Sequence, residues 1–310
     1  FLGLSGMKAN AFSLGSPNPG SGGGSGGNSG GGSNPGGGNS SSSSSTSSSS
    51  SRSSSSVSSS SSSSSPVQTG DAVNDISAIA QASSCKNYSW KNRGKAPSAY
   101  INGMAITFAK TLCRQRSGDS GGVLMSGKST GNPDKDAVTW FEPEYDALNM
   151  NIDASGPEAL KSLYTLGIGL GMRESSGKHC TGWDTTVTDQ KAETAEAGLF
   201  QTSQNSMSAS AELKKIYEEY KTGNAKCNLE VFSKNVTCKE QSIVGTGKGA
   251  EFQELLKGCP SLAAEYAMIT LRIMRKHYGP INRKEAEIRS ECRNMLDDVQ
   301  EYVERNPSSV

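Results

Sequence analysis

Histidine is nearly absent from this chain, with only His179 and His277 among 310 residues. Seven cysteines are present, but no two stand at C-x-x-C spacing. With so few ligands in metal-binding patterns a zinc site is not expected, and neither is any other cofactor. Long apolar runs are missing too, and none approaches the roughly 20 residues of a membrane-spanning helix. An excess of one charge is also lacking, since 31 basic side chains face 30 acidic ones. The first 66 residues hold Lys8 and Arg52 and no acidic group, which leaves 29 basic against 30 acidic beyond them. A nucleic-acid-binding domain shows a basic excess or stripe, so nucleic acid is not an expected partner.

What abounds is serine and glycine, gathered at one end. Residues 15–39 are almost wholly Gly, Ser, Asn and Pro, and residues 40–65 are serine broken only by Thr46, Arg52 and Val57. Such a stretch cannot bury enough apolar surface to offset its ordering entropy, so a disordered tail is expected over 1–66. A flexible tether of about 50 residues would span on the order of 40 Å. Residues 67–310 suffice for one good-sized domain. Within "FLGLSGMKANAF", Ala9-Asn10-Ala11 has the small-residue pattern of a signal-peptide cleavage site, which makes residues 1–11 a candidate signal remnant. All seven cysteines lie beyond residue 84. Disulfides in an oxidising compartment fit them, and a secreted, periplasmic or cell-envelope location follows. Three bridges and one free thiol are expected, with Cys227 and Cys238, close in sequence, as one bridge.

The folded part reads as α+β, mostly α-helical. Pro97 opens a helix in which Ile101, Met104, Ala105, Phe108 and Leu112 recur at helical spacing. "SGPE" starts another, with Ser155 and Glu158 spaced as a capping box and an apolar face of Leu160, Leu163, Tyr164, Gly167, Ile168 and Gly171. Further helices are predicted over 207–221 and 261–277. A last one is capped by Asn282 and Glu285 and carries Ile288, Cys292, Met295, Val299 and Tyr302. Strands fit only within 180–206 and 229–244.

Two motifs mislead. "SGDSGG", residues 117–122, copies the nucleophile loop of chymotrypsin-like proteases, with Ser120 as nucleophile. That mechanism needs a histidine base, which in that fold precedes the serine, yet both histidines here follow it. A flexible loop is the reading. "GTGKG", residues 245–249, lacks the spacing of a phosphate loop and reads as a turn.

"GLGMRESSGKHCTGWD", residues 169–184, carries the chemistry. Positions 164, 167, 171 and 174 share one helical face, so Glu174 continues a buried stripe into the last turn, with Gly177 placed to end the helix. Burial and the negative end of the helix dipole both disfavour a carboxylate there, and both suit a general acid that must keep its proton. A surface ion pair with Arg173 or Lys178 is the competing reading of the same residue.

Glu174-Ser175, followed after a polar loop by Gly198-Leu199-Phe200-Gln201, resembles the lysozyme-like superfamily, specifically goose-type lysozymes and soluble lytic transglycosylases. "WKNRGKAPSAYINGMA" and "HYGPINRKEAEI" look like stretches of secreted bacterial members, and the resemblance covers about residues 85–300. It implies a lysozyme-like fold with a small β-hairpin lining a cleft. It also implies a monomeric glycosidase acting on peptidoglycan or a related β-1,4-linked amino-sugar polymer. Glu174 maps to the general acid, while Ser175 would hold the acid or a sugar substituent. Gln201, on a hairpin strand, would bind the glycan or brace the loop, and Ser203 joins it as a substrate contact. The Ala-Tyr-Asn-Ala-Gly segment of the transglycosylases is missing. Tyr278 is the preferred substitute for its tyrosine, and Tyr266 competes. For hydrolysis a second carboxylate is needed. Asp184, Asp189, Glu193 and Glu196 are candidates, and Asp184 is preferred because Gly182 permits a turn and Trp183 can floor a sugar. A lytic transglycosylase, a chitosanase or chitinase, and a non-catalytic wall-binding protein are the alternatives.

Overall fold

The structure is a computed structural model, and it describes residues 72–183, 188–238 and 242–307. The expected tail over 1–66, with its signal remnant, and Asp184 lie outside the described residues.

Helices dominate. In chain order they are α1 (Ala72–Ala82), α2 (Ser98–Arg116), α3 (Ser120–Met125), α4 (Ala137–Trp140), α5 (Glu142–Asp146) and α6 (Pro157–Ser175). After the polar loop come α7 (Ala211–Lys221), α8 (Leu229–Phe232), α9 (Lys248–Gly258), α10 (Pro260–Ile273), α11 (Gly279–Asn282) and α12 (Ser290–Arg305). The one sheet among the described residues is a two-residue antiparallel pair, β1 (Ser89–Trp90) with β2 (Gly94–Lys95). Its turn uses the left-handed backbone of Asn92 and Gly94, which short polar residues and glycine tolerate.

α6 is the axis of the fold. Every residue from Ala159 to Met172 is buried, as a helix enclosed on all sides must be, and α2, α10 and α12 pack around it. Three glycines set how closely they approach. A side chain at Gly167 would strike Met268, one at Gly169 the Glu287 backbone, and one at Gly171 the Tyr100 hydroxyl. The Tyr100 hydroxyl occupies that space and donates to the Ile168 carbonyl at 2.8 Å. Leu160, Leu163, Leu166, Ile168 and Leu170 are fully enclosed, each worth about 1.5–3 kcal/mol of burial. α6 ends where the chain turns left-handed, at Ser176 (φ 54°) and Gly177 (φ 72°).

The helical stripes stand where the spacing put them, and several details differ. No capping box opens α6: Gly156 is its N-cap, and Glu158 is drawn instead to Lys161 and Arg293. The last helix begins at Ser290, not near Asn282. Glu285 and Glu287 are held by arginines, and the chain between them crosses α6 over Gly169 without helical hydrogen bonds. "SGDSGG" is not a flexible loop, because the Asp119 side chain caps α3 by accepting from the Gly122 amide at 3.0 Å. Among the described residues, the predicted strand regions hold no strand but an isolated bridge, Ala197 with Thr202, the start of a 3-10 helix at Gln204 and the helical turn α8. The hairpin forms earlier, at β1 and β2.

Three disulfides close the fold: Cys85–Cys292, Cys180–Cys238 and Cys227–Cys259, with Cys113 free. The expected Cys227–Cys238 bridge is therefore wrong, because nearness in sequence ignored the helices that bring Cys259 to Cys227. No helix among the described residues is long and apolar enough to cross a membrane.

Candidate active site

The last turn of α6 delivers Glu174 to the place where several elements meet. Its side chain is only partly exposed, and no hydrogen bond or ion pair among the described residues engages its carboxyl. Enclosure by protein pushes that carboxyl well above the usual range, and the negative charge of Glu196 pushes it further. Arg283, Arg93 and Arg173 pull the other way and do not prevail. The surface ion pair that competed for Glu174 does not form, since Arg173 is taken by Glu285 at 2.9 Å.

The Gly198–Gln201 motif is a tight turn closed by the Ala197–Thr202 bridge. Gly198 turns left-handed (φ 76°) against Leu256, and Leu199 and Phe200 are fully buried beneath it. Gln201 lies in this turn, with φ 47°, rather than on a strand. Its amide donates to the Gly198 carbonyl at 2.9 Å and to the Thr181 carbonyl at 3.5 Å. Thr181 also accepts from the Gly198 amide at 2.8 Å. Gln201 thus braces the loop, which is one of its two expected roles. The other expected contacts turn inward. Ser175 donates to the Gly171 carbonyl of its own helix at 3.1 Å, and Ser203 donates to Asn205 at 2.7 Å. Both serines are buried, and their hydroxyls serve local structure.

Of the two tyrosines, Tyr278 joins Glu174. Its hydroxyl lies 3.2 Å from Thr202, at the end of the same bridge. Burial raises its pKa, and the charge of Glu174 contributes to the rise. Tyr266 packs on Phe252 and bonds Ser206 at 2.9 Å, as a core residue does. Glu196, a candidate carboxylate to which Asp184 was preferred, acts on Glu174 through its charge. It stands immediately before the bridge, which sequence spacing from Glu174 could not reveal. Arg93 and Arg283 were missed, because they come from segments far from Glu174 in the sequence, and Arg173 was expected only as an ion-pair partner.

The only potential metal-ligating group among the described residues is His179 with Cys180 and Cys238. Both sulfurs are spent in the Cys180–Cys238 disulfide, and His179 Nδ1 lies 2.9 Å from the Lys257 carbonyl. That disulfide anchors the loop between the acid and the Gly198 turn. His179 also lines a cavity of about 420 Å³ with Leu229, Ile243, Glu254, Lys257 and Gly258, none of which belongs to the Glu174 cluster. Comparison with known proteins finds no matching family model, no matching curated protein and no matching solved structure.

Proposed function

We propose that this chain is a lysozyme-like glycosidase that cleaves β-1,4 bonds between the amino sugars of peptidoglycan, with Glu174 as its general acid. The observation that carries the reading is the state of Glu174. It is the carboxyl of a partly exposed residue, without a hydrogen-bonding partner among the described residues, whose pKa is raised by enclosure and by Glu196. An acid that keeps its proton near neutral pH can protonate a glycosidic oxygen as the bond from that oxygen to the anomeric carbon breaks. The turn bearing Gly198–Gln201 and the buried Tyr278 stand beside it, in keeping with the lysozyme-like resemblance of the sequence.

Hydrolysis then requires water to add to the anomeric carbon while a carboxylate takes its proton. Glu196, whose charge acts on Glu174, is the described carboxylate proposed for this task, and Asp184, the preferred candidate of the sequence, lies outside the described residues. As Glu174 gives up its proton it becomes the anion, and Arg93, Arg173 and Arg283 stabilise that charge. Three disulfides fit an exported enzyme meeting its substrate outside the reducing cytosol. Digestion of purified sacculi, with mass analysis of the fragments, tests the reading. Fragments carrying one added water at new reducing ends are expected. Anhydro ends would instead indicate a transglycosylase, in which the sugar's own 6-hydroxyl replaces water, and intact sacculi would refute the glycosidase.

A further inference from the structure

Three guanidinium groups from separate parts of the chain meet at the acid. Arg173 precedes Glu174 on α6, Arg93 comes from the turn of the β1–β2 hairpin, and Arg283 follows α11. One carboxylate, Glu285, serves two of them. It takes Arg173 Nη2 at 2.9 Å, and Arg283 through Nε at 2.9 Å and Nη2 at 3.1 Å. Arg93 caps the end of α6 by donating to the Arg173 carbonyl, a role suited to a cation at a helix C-terminus. That uses one amino group, and the other reaches only Ser176 Oγ, at 3.5 Å.

The cluster carries more cation than its structural roles require. Arg173 and Arg283 share the one carboxylate of Glu285, so two cations stand against a single anion there. Arg173 is close enough to disfavour the charge of Arg93, whose pKa burial lowers first. Arg173 Nε is buried with no hydrogen-bond partner among the described residues, an unmet donor that is costly where it stands. Arg93 is exposed, Arg283 keeps 49 % of its side-chain surface, and Lys91 and Lys95 flank Arg93 on the exposed hairpin.

We infer that Arg93, Arg173 and Arg283 form an anion-binding site beside Glu174 that takes a carboxylate borne by the substrate, as on the peptide-bearing muramyl units of peptidoglycan. The choice of peptidoglycan rests on the proposed function, but the anion site does not. Guanidinium groups present planar forks that match a carboxylate. A carboxylate seated there relieves the arginine repulsion and orients the glycan against the acid. Neutral chitin gains nothing from the site, and cationic chitosan is repelled.

The test uses the full chain carrying Glu174→Gln, so that ligand is bound without being cut. Its affinity is measured by calorimetry for soluble, peptide-bearing glycan strands and for the same strands with their carboxylates amidated. Amidation is expected to weaken binding about tenfold, as removal of one charge-assisted contact does. Adding Arg93→Gln and Arg283→Gln should close most of that gap, whereas Arg283→Lys should keep most of it. Equal affinity for both strands would overturn the anion site, and so would a gap that survives the double substitution. If the wild-type chain cleaves neither strand while the arginine-dependent gap persists, the glycosidase reading fails and the anion site stands.

Discussion

Two glutamates are enclosed by this protein, and they live in opposite surroundings. Glu265, on α10, is fully buried and fully partnered. Thr111 donates to it at 3.0 Å and Tyr220 at 2.7 Å, and Arg114 Nε sits 3.0 Å away. Burial raises its pKa, while Arg114, Tyr220 and Thr111 pull it back. Glu174 has no such set. Burial and Glu196 raise it well above the ordinary range, and the arginines act on it only through space. A buried carboxyl with both oxygens bonded ties α2, α7 and α10 together. One with its hydrogen-bonding capacity unspent, on a partly exposed residue, is costly to stability and available for chemistry.

Substituting each glutamate separates these roles. Glu174→Gln keeps the shape and removes the proton, so cleavage of sacculi should fall by about 100- to 10,000-fold, the range of general acid catalysis. Its effect on stability has a definite sign. A carboxyl whose pKa is raised on folding stabilises fully below its unfolded value and loses that contribution as pH rises through the folded value. The glutamine variant should therefore melt no lower than the parent, with an advantage that grows from about pH 5 upward. Normal activity in a folded Glu174→Gln protein would end the comparison.

Glu265→Ala should do the reverse. Removing one member of a buried ion pair leaves Arg114 without its enclosed partner, at a cost of about 3–5 kcal/mol. Urea unfolding measures that loss, and the folded fraction should cleave at nearly the parental rate. A stable but inactive Glu265→Ala protein would show that the two glutamates are not divided as their surroundings suggest.

The smallest expected effect sharpens the picture of Glu174. Glu196 raises its pKa and Arg283 lowers it. A general acid works while protonated, so activity declines on the alkaline side as pH passes its pKa. Arg283→Gln should move that alkaline limb to higher pH, and in the residual activity of Glu196→Gln, which also loses the carboxylate proposed to take the proton from water, the limb should lie at lower pH. Each shift should be on the order of one unit or less, as expected of charges partly screened by solvent. Rate profiles at low salt would show the two displacements, and limbs moving the same way would contradict the placement of these charges.

Much of the architecture was legible before folding. The stripe ending at Glu174 needed only the 3.6-residue period, and the positions named before Glu174 are buried while Glu174 itself is partly exposed. The cysteine pattern indicated three bridges and a free thiol, and the count is met. Charge roles were harder to read. Whether Glu158 caps a helix or pairs with Arg293 depends on what faces it, and so does the choice of Ser175 or Arg173 as a neighbour of the acid. A short helix capped by Asp119 was hidden in glycines that suggested flexibility.

The sequence by itself determined the helical stripes, the burial of Glu174 and the turn at Gly198, because these depend on periodicity and on backbone freedom within a few residues. Only the tertiary structure decided the partners. It chose Cys259 for Cys227, Tyr278 over Tyr266 beside the acid, and Glu196 among the described carboxylates. It also gathered Arg93, Arg173 and Arg283 from three segments. Local propensity acts over a single turn of helix, whereas electrostatic and covalent partnership depends on distance in space, which chain packing alone sets.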